Sequence, residues 1–208
     1  YKKMVKNNLL IYIQENSKKT GIYYLNNDIP VWSDDPLPEH INLAAVLDKI
    51  KKTMPSAYFR YVHAVKIGTY PEMIDREINA MYRDNVLYIS NFQSDEEDMY
   101  DDIIHEIAHA VEAHNTELIY GDEKLMVEFL GKRKRLFNIL FLFQEIGYSL
   151  LNNLVMGLFP GAYSVTTLNE YFGTGFENFY MGESNYIKKI CPQLAQKLLY
   201  LDNIANEY

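Results

Sequence analysis

His105-Glu106-Ile107-Ala108-His109 sets two imidazoles four residues apart with a carboxylate between them. On an α-helix, residues four apart lie one turn apart and differ by roughly 40° around the axis, so both rings can reach one metal ion. Glu106 then points beside the ion, where it can take a proton from water. This is the helical zinc-hydrolase pattern of two ligands and a general base. The bland alternative is a chance match of three fixed positions on an ordinary amphipathic helix, so the surrounding sequence has to decide.

The motif needs a buried helix, and the flanking residues supply one. Ser94-Asp95-Glu96-Glu97 has the Ser-x-x-Glu spacing of a capping box, and more acid follows at Asp98, Asp101 and Asp102. A helix starting there runs to about His114. Its centre is apolar apart from the motif: Ile103, Ile104, Ile107, Ala108, Ala110 and Val111. A helix apolar on nearly every side is buried. Two histidines and a glutamate inside it need partners, because unpaired buried polar groups are costly. A metal provides them.

The chain has 208 residues, enough for one domain with a substantial core. Hydrophobic residues make up 48% and charged ones 23%, as in an ordinary globular protein. A net charge of −8 argues against a duplex-binding surface, so no nucleic-acid partner is expected. The one basic run, Lys132-Arg133-Lys134-Arg135, reads as a solvated helix face. Cys191 is the only cysteine, which rules out an intramolecular disulfide and suits a small buried side chain. No signal peptide is visible, but the chain opens at Tyr1 rather than Met, so this says little about export. The apolar stretch from Leu136 to Phe143 is interrupted by Gln144 and Glu145 before it reaches spanning length, so a core helix is expected and no membrane span.

Around the motif, alternation and turn residues predict strands at Leu9 to Ile13 and Gly21 to Leu25, joined by a polar turn at Glu15 to Thr20. A loop at Asp34 to Pro38 leads to a helix from Ile41 to Met54, closed by Pro55. Phe59 to Gly68 reads as a strand, Pro71 to Met81 as a helix, and Val86 to Ser90 as a strand after the turn residues Asp84 and Asn85. If Val86 to Ser90 forms the sheet edge above the cleft, a peptide substrate could pair with it; the equal alternative is an interior structural strand. Beyond His114 the pattern is helical: Asp122 to about Phe143, about Ile146 to Leu158, Leu168 to Met181 and Pro192 to Asn203, with a break at Pro160-Gly161. The expected class is α+β. A mixed lobe, residues 1–93, carries a small sheet; a mainly helical lobe, residues 94–208, carries the zinc site; the motif helix lies at the junction.

A catalytic zinc usually takes three protein ligands and leaves one position for water. The long metzincin pattern would put Gly at position 112 and His at 115, but the chain has Glu112 and Asn115. His114 lies nine residues past His105, about half a turn away. It reads as a helix-end histidine; His40 and His63 read as surface histidines. A carboxylate must complete the set. Glu128 stands at the spacing of many thermolysin-like enzymes, without the neighbouring Asn found there. Glu170 stands at the start of an aromatic-rich helix, with Tyr163 seven residues before it.

A His-Glu-x-x-His helix, a long helical insert and then Tyr163-x6-Glu170-x-Phe172 resembles the anthrax-lethal-factor-like zinc metallopeptidases, a gluzincin group that includes the bacterial Pro-Pro endopeptidases. The resemblance runs from Val86 to the C-terminus. It implies a zincin-like fold and one zinc ion per chain, held by His105, His109 and Glu170. Glu106 becomes the general base and Tyr163 the residue that assists at the oxyanion. It also implies an endopeptidase with a protein or peptide substrate, acting outside the producing cell. The family often has Phe-Ala-Glu-x-Phe after the ligand; here Phe172-Gly173-Thr174-Gly175-Phe176 replaces the second acid with Thr174. Glu112 or Glu177 could then orient the zinc ligands.

In that scheme zinc is a Lewis acid that brings the pKa of water toward ~7. Glu106 accepts the proton and passes it to the leaving amine, while the phenol of Tyr163, with a pKa near ~10, stays a donor at neutral pH. The rival readings are a zinc amidase acting on a non-peptide amide, and a catalytically inactive module that keeps the fold for binding or structure.

Overall fold

The computed structural model describes residues 23–140 and 153–206. A five-stranded mixed sheet comes first and helices dominate the second half, an α+β arrangement. Strand β1 (Tyr23–Leu25) turns back onto β2 (Ile29–Ser33) through Asn26 and Asn27, whose φ values of 51° and 66° lie in the left-handed region that Asn tolerates. Strand β3 (Ala64–Ile67) and strand β5 (Val86–Ile89) run parallel to β2, and β4 (Ala80–Arg83) pairs antiparallel with β5. A two-residue turn at Asp84 and Asn85, with φ of 51° and 64°, joins β4 to β5. The order is β1-β2-β3-β5-β4.

One face of the sheet is core: Val31, Val65, Ile67, Leu87 and Ile89 are buried. Helix α1 (Leu43–Thr53) covers part of it with Leu43, Val46, Leu47 and Ile50; Asn42 Oδ1 caps the helix by accepting from Ala45 N. Helix α3 (Glu96–His114) packs against α1, β4 and β5 on one side and against α6 (Leu168–Asn178) on the other. This explains why α3 is apolar nearly all round: Met99, Ile103, Ile104, Ile107, Ala110 and Val111 are all fully buried. Between them in sequence come α2 (Pro71–Asp75), α4 (Thr116–Tyr120) and α5 (Lys124–Leu140); α7 (Ser184–Ile190) and α8 (Pro192–Asn206) follow α6. A Cβ on Gly175 of α6 would collide with Leu194 of α8, so that glycine permits the close crossing.

Several expectations change. The strand expected at Leu9 to Ile13 lies outside the described residues; Tyr23–Leu25 pairs with Ile29–Ser33, a strand not expected. Residues 56–61 form a 3₁₀ turn that plugs Tyr58 and Phe59 into the core, leaving only Ala64–Ile67 extended. The helix expected to Met81 ends at Asp75, because Glu77 takes a left-handed φ of 54° and Ala80–Arg83 is drawn into the sheet by pairing with β5. Val86–Ile89 is therefore interior, and the edge on its side of the sheet is β4. Helix α6 stops at Asn178, where a π turn (Phe179–Glu183) containing Gly182 at φ 105° redirects the chain. The helix expected to start at Asp122 begins at Lys124, with Asp122 Oδ1 accepting from its N–H; most of the helix expected at about Ile146 to Leu158 lies outside the described residues. Lys132 is not wholly solvated: its Nζ donates to the carbonyls of Leu158 and Ile190, capping the end of α7. Among the described residues no helix is long and apolar enough to cross a membrane.

Candidate metal centre

Helix α3 is fixed at its start by a reciprocal acidic cap. Asp95 Oδ1 accepts from Asp98 N at 2.9 Å, and Asp98 Oδ2 accepts from Ser94 N at 2.9 Å. The cap thus sits one residue later than the Ser94/Glu97 pair expected, and Glu97 is left to pair with Lys49 of α1. From this anchored end, helical geometry carries His105, Glu106 and His109 to the middle of the helix, where their donor atoms all lie within 4.8 Å of one another.

Helix α6 faces them. Thr167 caps it by accepting from Glu170 N, which places the Glu170 carboxylate in the first turn. Glu170 Oε2 lies 3.0 Å from His105 Nε2 and 3.5 Å from His109 Nε2, so three candidate ligand atoms from two helices meet at one point. The other nitrogen of each ring is held by its own carboxylate. His105 Nδ1 donates to Glu177 Oε2 at 3.0 Å, and His109 Nδ1 donates to Glu112 Oε2 at 3.1 Å. Glu112 is itself held by the hydroxyl of Tyr120. Gly173 is what lets α6 approach: a Cβ there would sit 3.0 Å from Cε1 and Nε2 of His105 and 3.3 Å from Cε1 of His109.

Burial dominates the electrostatics and is then overcome. It would lower both imidazoles, but the carboxylates hold His105 up at about 10, through Glu170 and Glu177, and His109 up at about 9, through Glu112 and Glu170. Burial would raise Glu170; the two rings instead hold it down at about 2. Glu106 is pushed up by burial, against the pull of both histidines, and takes a backbone hydrogen bond from Tyr82 of β4. Four carboxylates (Glu106, Glu112, Glu170, Glu177) lie around two imidazoles. A metal ion bound at the two Nε2 atoms would take the place of protons there, and paired Nε2 atoms with one carboxylate oxygen are a zinc-type donor set. The residues fit such an ion.

A cleft of about 730 Å³ opens over the group. Strand β4 forms one wall, Pro160 to Tyr163 contributes to another, and α3 lies along it. Asn178 Nδ2 donates to Pro160 O and so ties this wall to α6. Tyr163 stands in a 3₁₀ turn (Tyr163–Val165), partly exposed, with its ring centroid 6.0 Å from that of His105. Its phenol is pushed up by burial and then by the Glu170 and Glu106 carboxylates, and so stays a proton donor. Farther along the cleft Asp101 and Asp102 are each raised to about 7, first by burial and then by acidic neighbours; in Asp102 a hydrogen bond from Gln93 works against the rise.

The five residues singled out from the sequence, His105, Glu106, His109, Tyr163 and Glu170, all lie along this cleft. Glu128 does not. It accepts from the Tyr171 hydroxyl and from the backbone N–H groups of Gln193 and Leu194, capping the start of α8. His114 bonds the Ala110 carbonyl and stacks on Tyr61, as a helix-end residue does, and Cys191 is buried. Glu112 and Glu177 had been marked as possible orienting acids, and each takes one ring. Gly173, Tyr120 and the wall formed by β4 were not foreseen; the available signal was a glycine inside a helix, three residues past Glu170. Compared with known proteins, the chain matches no family model, no curated protein and no solved structure.

Proposed function

We propose that this chain is a zinc-dependent endopeptidase of the zincin type, similar to the lethal-factor-like gluzincins. The observation that carries the reading is the meeting of His105 Nε2, His109 Nε2 and Glu170 Oε2 at one point, with buried Glu106 beside it in an open cleft. These three atoms would hold the ion. Once bound, it supplies a Lewis acid and acidifies water for attack on an amide.

The protein's own residues do the rest. A Glu106 carboxylate oxygen takes the proton of the attacking water and returns it to the leaving amine; its upward shift from the ordinary carboxylate range brings it nearer the pH at which such a base works best. The Tyr163 hydroxyl donates to the carbonyl oxygen as charge builds there. Strand β4 has β5 on one side and the cleft on the other, so an extended peptide adds to its outer edge and is held by main-chain hydrogen bonds. The role first considered for Val86 to Ser90 passes to Ala80–Arg83.

Zinc stoichiometry of the full chain, followed by cleavage of a peptide library read by mass spectrometry, tests the reading. One zinc per chain and metal-dependent internal cleavage are expected. A wild-type chain that takes up no zinc at neutral pH refutes it.

A further inference from the structure

Helix α6 presents Glu170, Gly173 and Glu177 at i, i+3 and i+7, which is one face, and each meets a motif histidine. Glu170 closes on both Nε2 atoms and Gly173 makes room for the rings. Glu177 is left to account for.

We propose that Glu177 is the positioning residue of His105, the group that fixes its ring so that Nε2 faces the metal; this rests on the metal reading above. The two rings are anchored unequally. Glu112 lies on α3 itself, three residues past His109, is deeply buried, and has its second oxygen held by Tyr120. His109 is thus oriented by its own helix. Nothing on α3 does this for His105. Its Nδ1 partner comes from α6, is 20% exposed at the side chain and lines the cleft. Asp101, one turn earlier on that face of α3, leaves its Oδ1 without a partner, so it is Glu177 and not Asp101 that accepts from His105 Nδ1. Thr174, one turn before on α6, leaves its Oγ1 unbonded and takes no part in holding the ring. His105 therefore points correctly only while α6 is docked with Glu177 in place.

Removing an outer partner of a ligand histidine typically weakens metal binding by ~10–100-fold. The test is zinc affinity of the full chain by competition with a chromophoric chelator, for wild type, Glu177→Gln and Glu177→Leu. The Gln variant keeps an acceptor and loses the charge; the Leu variant loses both. The expected order is wild type, then Gln about 10-fold weaker, then Leu about 100-fold weaker, within the span for such partners. The zinc-induced rise in melting temperature should shrink in the same order, a change that a merely structural role would not produce. The His105 Nδ1–H resonance of the zinc-loaded protein should move upfield in Gln and vanish in Leu. Zinc binding by Glu177→Leu within threefold of wild type overturns this inference and leaves the metal reading standing. No zinc in the wild type overturns both.

Discussion

Gly173→Ala adds one methyl group and should damage the site more than the fold. The new Cβ would lie 3.0 Å from Cε1 and Nε2 of His105 and 3.3 Å from Cε1 of His109. Carbon atoms in good contact sit ~3.5–4.0 Å apart, so ring and helix must part by about 0.5 Å. Metal–ligand distances tolerate only about 0.2 Å. Displacement therefore exceeds tolerance, and one ligand is pulled off its position. For the metal-free fold two effects oppose. Ala gains about 1 kcal/mol over Gly inside a helix, and overpacking costs about 1–3 kcal/mol. The net loss is about 0–2 kcal/mol, which a domain of this size survives.

The assay separates the two parts. Urea unfolding is measured once with excess chelator and once with zinc at a fixed free concentration. At 1,000 times its dissociation constant, zinc adds about 4.1 kcal/mol to wild type. A site weakened about 100-fold gains only about 1.4 kcal/mol under the same conditions. The zinc-linked increment should thus fall by about 2.7 kcal/mol, while the chelator arm falls by less. If Gly173→Ala shows the full wild-type increment, then α6 is not held against the histidines as described.

Glu106→Gln should keep one zinc per chain and lose nearly all peptide cleavage, because it removes the base and leaves the three converging atoms; turnover within a few-fold of wild type would end that assignment. Tyr163→Phe should slow cleavage by ~10²–10³ with zinc affinity unchanged, the cost of one oxyanion donor; an unchanged rate makes it an ordinary surface aromatic. Glu128→Ala should leave zinc binding intact and cost about 1–3 kcal/mol in unfolding, since it strips the partner from Tyr171 and from two N–H groups at the start of α8; loss of zinc instead would reinstate it as a ligand. Asp102 sits at about 7 in the fold against about 3.9 when unfolded. A raised carboxylate favours the fold below the unfolded value and loses that contribution as pH climbs through about 7. Metal-free Asp102→Asn should accordingly melt above wild type at pH 8.5, with the gap closing toward pH 4; a gap independent of pH refutes the cause given.

The local signals read correctly are those that a few neighbouring residues dictate. Pro55 stops α1, Asp84 and Asn85 turn β4 into β5, and acids gather at the start of α3. What escaped was set by pairing across the chain. Alternation in Val86–Ile89 shows a strand but not its neighbours; β3 and β4 on its two sides make it interior, and the edge falls to Ala80–Arg83, whose first two residues read as the end of a helix. Glu128 and Glu170 were both spaced to reach the histidines. Only the packing of α8 shows that Glu128 is spent on backbone N–H groups, and only the crossing of α3 and α6 shows why Gly173 must be small.

The polar residues of α3 make the strongest physical case for chemistry at this place. The helix is buried on the sheet side and on the α6 side, and apolar residues at 105, 106 and 109 would pack there without desolvating any charge. Instead the chain places two imidazoles and a carboxylate in the middle, adds Glu112, and brings Glu170 and Glu177 from α6. Each acid so placed is either paired with a ring or, as Glu106 is, pushed above its ordinary range. Local rules broken together, with no gain in packing to offset them, mark a site kept for function. A divalent cation held where His105 Nε2, His109 Nε2 and Glu170 Oε2 face each other would tie α3 to α6. On this argument α3 and α6 should dock more firmly with metal than without, and amide exchange protection at the centre of both helices should rise together when zinc is added.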